Sequence, residues 1–401
     1  MRLLKNKELC CGCSICSLIC PVNAISMEKD IEGFIYPFVK KNLCINCNKC
    51  LDICSFKKND IIPINQDIYG VRHKKIQEVT SSRSGGMFTT LVDYTLSKQG
   101  IIYGAGYAGF KVAHKRFDNK SDCQELKGSK YVQSDTKGIY DLIKKDLKNN
   151  KWVLFSGTPC QVHSLSVYLQ KENTKKLILC DLVCHGVPSQ KIWEDYIKYI
   201  EKKHNDTVIK ANFRDKEYGW NTHYESFVLS KKKRKVKTEY FRELFLRNFI
   251  LRPSCYNCKY CNFDRCSDIT LGDFWGWEKS LPHNFNSDNK GVSLVFVNTE
   301  KGKQIFESIK KDIQYIKSNK KNCIQKQLKS PPEHNHKREQ FWKDYLKHGL
   351  KFVVFKYIVL NKEYFTCKIK KELKFFYSLA VVNTTNVIYK KLNKSKVKNE
   401  K

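Results

Sequence analysis

Trp152-Val153-Leu154-Phe155-Ser156-Gly157-Thr158-Pro159-Cys160-Gln161 begins as an unbroken apolar run and ends on a tight polar loop. Apolar residues without alternation describe a strand covered on both faces, as in a parallel sheet between helices. The rhythm repeats on either side. Leu165 to Leu169 suits a helix, Leu177-Ile178-Leu179 a second buried strand and Ile192 to Ile200 another helix. Asp181-Leu182-Val183-Cys184-His185-Gly186-Val187-Pro188-Ser189 is the loop at the end of that second strand. Upstream, apolar residues at 88, 91, 92 and 96 predict a helix stopped by Gly100, Ile101 to Ala105 a strand and Ile139 to Leu147 a helix. Alternating strands and helices predict an α/β (α+β) core with its site along the edge where the strands end. Val208 to Ser230 reads as more strand-rich, with a wet hairpin tip at Lys231-Lys232-Lys233-Arg234.

Ahead of this core stand two cysteine runs of one spacing, Cys10, Cys13, Cys16, Cys20 and Cys44, Cys47, Cys50, Cys54. That is the spacing of two-cluster bacterial ferredoxins, in which the fourth Cys of each run serves the other run's 4Fe-4S cluster. Two-residue gaps let a turning backbone present three sulfurs to one centre, and the fourth comes from the opposite run. Cys10, Cys13, Cys16 and Cys54 are therefore assigned to one cluster and Cys44, Cys47, Cys50 and Cys20 to the other. Pro21 follows Cys20 as in the bacterial pattern, whereas Ser55 stands where a second Pro is usual. A duplicated run is poor economy for tetrahedral structural zinc. Cys11 has no assigned partner. Met27 to Pro37 reads as a hairpin linking the runs, with Gly33 near its turn. Burial alone cannot order so small a unit, so the clusters are expected to supply much of its order.

Cys255, Cys258, Cys261 and Cys266 form a further group, read as ligands of a third 4Fe-4S cluster or a structural zinc site. A mixed ligand set using Cys160 or Cys184 stays open, because both sit on loops at strand ends. Cys123, Cys180, Cys323 and Cys367 read as small hydrophobes.

Clusters pass single electrons, whereas most organic substrates accept two, so clusters beside an α/β domain call for a flavin. The phosphate cradle is expected at Ser81-Ser82-Arg83-Ser84-Gly85-Gly86, where adjacent glycines allow close approach and a helix follows. Gly157, Thr158, Cys184 and Gly186 would face the same cavity, admitting a planar ring. His185 is a proton-donor candidate or a structural His bonded to a carbonyl, and Cys160 a redox or nucleophilic thiol. The absence of a G-x-G-x-x-G run between strand and helix argues against an ordinary dinucleotide-binding unit. Asp268 to Trp277 combines acids, glycines and aromatics that either stack on a flavin, shield a cluster or belong to the core.

The chain has 401 residues and a formal net charge of +34, mostly from scattered Lys. No recognition helix or RNA-reading aromatic motif accompanies the charge, so nucleic acid is not expected as a partner, and an anionic cofactor or acidic electron partner fits better. No signal-peptide pattern appears, and cysteine clusters of this kind belong in a reducing cytoplasm. Phe352 to Leu360 and Phe375 to Tyr389 are too short and too interrupted to span a bilayer, but a basic end could rest peripherally on the membrane's inner face. Three regions are predicted: a two-cluster unit over 1–60, a flavin and iron–sulfur core over 61–330, and a basic helical extension over 331–401 that frays at its Lys-rich end.

In order along the chain, Ser84-Gly85-Gly86, Gly128-Ser129-Lys130-Tyr131, Ser156 to Gln161, Asp181 to Ser189, Phe213 to Trp220, Arg252 to Cys258 and Asp268 to Gly276 resemble the beta-subunit family of deazaflavin-dependent (coenzyme F420) hydrogenases and dehydrogenases. The resemblance runs from residue 1 to about 320. It implies an FAD-containing iron–sulfur oxidoreductase exchanging electrons with a deazaflavin, a nicotinamide-type molecule or a redox partner protein. Members fused to a two-cluster unit imply a setting in surface-polysaccharide biosynthesis and contact with its enzymes. The alternatives are a non-catalytic electron-transfer subunit feeding a partner enzyme and a cluster-stabilised scaffold or regulatory subunit.

Overall fold

A computed structural model describes residues 3, 6–58, 65–231 and 233–361, without the Tyr218 side chain. Phe375 to Tyr389, Cys367 and the Lys-rich end lie outside the described residues. The chain divides into one unit over Met1–Arg338 and a second over Glu339–Lys401. Within the second, a helix runs to Val354 and continues as a short π-turn over Phe355–Val359. There Asp344 accepts from Lys356 Nζ at 2.6 Å and from Tyr357 Oη at 2.8 Å.

The strands of the first unit are β1 (Ile25–Lys29), β2 (Ile35–Val39), β3 (Asp67–His73), β4 (Ile101–Ala108), β5 (Lys111–Phe117), β6 (Val153–Ser156), β7 (Leu177–Leu182), β8 (Val208–Asn212), β9 (Glu225–Leu229), β10 (Lys235–Thr238), β11 (Ile269–Asp273), β12 (Ser293–Val297) and β13 (Ile313–Ser318). Among the described residues the main sheet has eight strands in the order β13-β3-β12-β11-β7-β6-β4-β5. β4, β6, β7 and β11 are parallel, as the apolar runs predict, and antiparallel strands complete both sides.

Successive residues of the buried strands serve opposite faces. Val153 and Phe155 pack with Ile139, Ile143, Val162 and Leu165 on one face. Leu154, Ile178 and Val295 pack with Leu91, Val92, Ile305 and Phe306 on the other. The helices Ile139–Lys148 and Pro159–Tyr168 thus cover one face, and Met87–Ser97 and Glu300–Ile309 the other. β8, β9 and β10 form a separate antiparallel sheet, with the predicted hairpin joining β9 to β10.

The cysteine duplication is visible in the backbone. Gly12 and Ser14 have φ of 72° and 69°, and their counterparts in the second run, Asn46 and Asn48, have 53° and 57°. Short helices follow at Ile15–Leu18 and Lys49–Asp52. Alternating left-handed residues curl each run around a point, and Gly and Asn are the residue types that tolerate them best.

Burial contributes more to this unit than its composition predicts. Ile15 is fully buried in the cluster formed by Tyr103, Tyr140 and Phe155, where Leu18 and Ile53 also pack. Ser55, in place of the usual proline, hydrogen-bonds Ser164 Oγ at 2.7 Å, and its carbonyl accepts from Lys259 Nζ at 2.8 Å. Contacts with the core thus fix the exit turn that a proline would shape. Ile15→Ala is expected to cost about 2–5 kcal/mol of stability in denaturant unfolding. An unchanged midpoint would mean that this packing adds nothing beyond what the metal supplies.

Candidate functional site

Parallel strands that end together leave their following loops along one edge. Asp273 ends β11, Leu182 ends β7 and Ser156 ends β6, in that order across the sheet. Gly85 joins this edge beside β3 and β12, where a Cβ would lie 2.1 Å from Val71 O and 2.7 Å from Ser293 N. The glycine is thus required by backbone packing. The three loops predicted around one cavity stand in a row along this edge.

Cys10, Cys13, Cys16 and Cys54 line one pocket with Ile15, Leu51 and Phe56 among its walls, and Cys11 and Cys50 also reach it. Burial raises the Cys16 thiol, with Cys13, Cys10, Cys54 and Cys50 adding to the effect. Burial raises the Cys50 thiol, backbone N–H groups at Cys50 and Leu51 oppose it, and Cys47 and Cys20 add to the rise. Cys54, the fourth cysteine of the second run, thus lies with the first run. Among the described residues no three Cys, His, Asp or Glu side chains close to the spacing of a single-ion site. Four sulfurs around a cubane stand further apart than that, and the pocket of cysteines fits such a group.

Cys11 is buried beside Cys13 and Cys160, and its thiol is raised well above the ordinary value. Cys160 also lies 3.2 Å from Thr158 Oγ1, at the start of the helix Pro159–Tyr168. Gly157 N donates to Cys180 O at 3.1 Å, and Thr158 N to Gln161 Oε1 at 3.0 Å. These two residues build the helix start that presents Cys160 to the N-terminal run.

Cys184 lies among Cys255, Cys258 and Cys261: burial, then Cys258 and Cys184, raises the Cys255 thiol, and Cys258, then burial, raises that of Cys261. Burial, with Cys258 nearby, pushes the Cys184 thiol up to about 12. A cationic metal core would reverse that order. Gly186 (φ +133°) permits the approach, since its Cβ would lie 3.2 Å from Cys255 Cβ. Cys266 packs against the buried cluster that includes Ile15, Tyr103 and Phe155, and lies with Cys258 near Tyr260. Beneath Cys184 lies the buried pair Asp181 and Arg265, 3.6 Å apart. His185 has a protein partner at each ring nitrogen: Nε2 lies 2.9 Å from Asn248 Oδ1, and Nδ1 3.4 Å from Gln327 Nε2. Burial lowers its pKa. Cys123, Cys180 and Cys323 are buried, as small hydrophobes are.

Ser84, Gly85 and Gly86 border a second neighbourhood, built from arginines. Asp273 accepts from Arg214 Nη1 at 2.8 Å, from Trp220 Nε1 at 3.0 Å and from Arg83 Nη2 at 3.5 Å. Trp220 stacks on Trp275 at 4.6 Å, with the Arg214 guanidinium over Trp275 at 5.0 Å. Lys216 Nζ donates to Ser82 O and Ser84 O, each at 2.9 Å, and to Val79 O. Burial, with Arg83 nearby, brings its pKa down to about 7. Arg83 is itself buried, and its Nε and Nη1 have no protein partner among the described residues. Such donors are costly unless an acceptor meets them. A phosphate or carboxylate would do so. Sequence reading placed Arg83 in the loop but missed the roles of Asp273, Arg252 and Arg265.

The paired cysteine runs are of the kind that hold 4Fe-4S clusters in electron-transfer proteins. Residues 150–322 match the family described as the C terminus of the coenzyme F420 hydrogenase/dehydrogenase beta subunit, and residues 3–26 match the 4Fe-4S binding domain family. The chain is 32% identical over 75 residues to an uncharacterized ferredoxin of Methanocaldococcus jannaschii, a match covering 18% of this chain and 39% of that protein's length. It is also similar, at 16% identity and a TM-score of 0.44, to a chain of the F420-reducing NiFe hydrogenase complex from Methanosarcina barkeri, over 74% of this chain and 93% of that one. Among the described residues no helix is long and apolar enough to cross a membrane.

Proposed function

We propose that the chain is an iron–sulfur flavoprotein oxidoreductase that exchanges electrons with a deazaflavin, a nicotinamide-type molecule or a partner protein. Bound clusters would pass single electrons, and bound FAD would exchange these for pairs. The crossed sets Cys10, Cys13, Cys16, Cys54 and Cys44, Cys47, Cys50, Cys20 would hold two clusters. Cys184, Cys255, Cys258 and Cys261 would hold a third, with Cys184 in the place first given to Cys266. The observation that carries the flavin reading is Arg83, whose Nε and Nη1 have no protein partner among the described residues and which precedes the Ser84-Gly85-Gly86 turn, suited to a pyrophosphate. Trp220 O, at 3.0 Å, and Asp273 hold that guanidinium in place, and Lys216 fixes the loop from beneath through its carbonyls.

Cys47 and Ile45 are exposed in the second run, which suits electron exchange with a protein partner there. This favours, as a second reading, a subunit feeding another enzyme. The polysaccharide setting enters the proposal through the family resemblance alone.

Anaerobic purification with iron, sulfide and flavin quantified together tests the assignment. Three clusters give about 12 irons per chain and two give about 8, at four per cubane. Arg83→Gln is expected to lower bound flavin at least about tenfold while leaving iron unchanged, since a charged hydrogen bond to phosphate contributes about 1.5–3 kcal/mol. Full flavin in that variant would move the phosphate elsewhere, and a colourless, iron-free wild type would end the redox assignment.

A further inference from the structure

Arg252 has no exposed surface at all. Its Nε donates to Cys10 O at 2.7 Å, Nη1 to Gln133 Oε1 at 2.8 Å and Nη2 to Ile35 O at 2.8 Å. Nη2 also points at Cys10 Sγ from 3.7 Å. The guanidinium lies over the Tyr36 ring at 4.3 Å, and a Cβ on Gly12 would come within 2.8 Å of Nη1. The backbone of the same residue belongs to the other cysteine group. Arg252 N donates to Val187 O at 3.0 Å and Cys255 N to Arg252 O at 2.9 Å, while Val187 N donates to Cys255 Sγ at 3.4 Å.

Among the described residues, the hydrogen-bond partners of Arg252 are carbonyls, one amide oxygen and one sulfur, with no carboxylate. A buried cation normally requires a counter-anion. Carbonyl dipoles orient the group, but they do not neutralise it. A thiolate-ligated cubane at Cys10 carries net negative charge and becomes more negative on reduction, and cluster potential follows net charge and hydrogen bonds to sulfur. A fixed cation that donates toward a ligand sulfur therefore favours the reduced state. Its carbonyl end meanwhile positions Cys255 in the other group.

We propose that Arg252 is the electrostatic link between the Cys10 cluster and the Cys184–Cys255 centre, a positioning residue that holds up the reduction potential of the first and couples it to the third. This rests on the cluster assignment proposed above. Lys7, Asp30 and Glu32 also lie around this part of the fold, but Lys7 pairs with Asp30 and Glu32 with Arg338, so their charges are already matched.

The test is an anaerobic redox titration of the full chain followed by EPR, with Cys16→Ser identifying the first centre's signal. Arg252→Gln is expected to lower the reduced-to-oxidised ratio of that centre about tenfold at a fixed poise, or ~59 mV for one electron. The third centre shifts the same way by less, and the centre of the Cys44 run does not move. Arg252→Lys keeps the charge but loses the fork, and falls between. If Arg252→Gln fails to load iron, wild-type protein labelled with 15N-arginine supplies the second measurement, a nitrogen hyperfine coupling at the first centre. Unmoved potentials in an iron-replete variant, or no such coupling, overturn the role of Arg252 alone. A wild type without reducible clusters overturns the function proposed above and this inference with it.

Discussion

Replacing Cys184 by serine is expected to remove about one third of the bound iron, four atoms of about 12, while leaving both N-terminal clusters intact. The reason is the placement of this cysteine with Cys255, Cys258 and Cys261, a trio that sequence spacing alone completes with Cys266. Serine keeps the shape of the side chain but exchanges a thiolate for a poor iron ligand. Three remaining sulfurs leave one corner of the cubane open to solvent. Cys266→Ser is the comparison variant: Cys266 packs against the cluster that includes Ile15 and Phe155, and with Cys184 as the fourth ligand its loss should leave the third centre filled. Iron and sulfide analysis with EPR on both variants decides between the two cysteines. A full complement in Cys184→Ser together with iron loss in Cys266→Ser would restore the spacing-based set.

What the sequence disclosed and what it concealed follow from the range of the interactions concerned. The two cysteine runs are local, so their duplication is legible from spacing, and even the left-handed turns are legible as Gly12, Asn46 and Asn48. The parallel strands were legible because burial on both faces writes itself as an unbroken apolar run. β3 was not. Asp67-Ile68-Tyr69-Gly70-Val71-Arg72-His73 carries a glycine, an arginine and a histidine, and only its neighbours make it a strand. Gly70 is there because a Cβ would come within 2.6 Å of Leu281, and Arg72 is there to pair with Asp288 at 2.6 Å.

The arginines were the quieter signal. In a chain whose cations are mostly Lys, a planar fork marks a position that a flexible ammonium cannot serve. Arg83, Arg214, Arg252 and Arg265 are all buried or nearly so, and each lies beside a proposed ligand loop. The partners of these residues are far away in sequence, which is why spacing does not reveal them.

Asp273 shows how strongly the arginine neighbourhood depends on one such partner. Its carboxylate is enclosed; burial alone would raise its pKa, but Arg83 and Arg214 outweigh that and hold it below the ordinary range. Asp273→Ala leaves both guanidiniums without a carboxylate and Trp220 Nε1 without an acceptor, at a cost of about 3–5 kcal/mol, the range seen when one partner of a buried pair is removed. The sign of the pH dependence follows from the depressed pKa. Stabilisation by Asp273 is fully present above the unfolded carboxyl value of about 3.9 and fades as pH falls through the lower folded value. The gap between wild type and Asp273→Ala in denaturant unfolding should therefore be widest near neutrality and narrow in acid. Bound flavin should fall alongside, because Arg83 loses its carboxylate partner and is left with its bond to Trp220 O. A gap of constant size across pH would assign the loss to packing against Trp220 and Trp275 and would remove Asp273 from the electrostatic scheme.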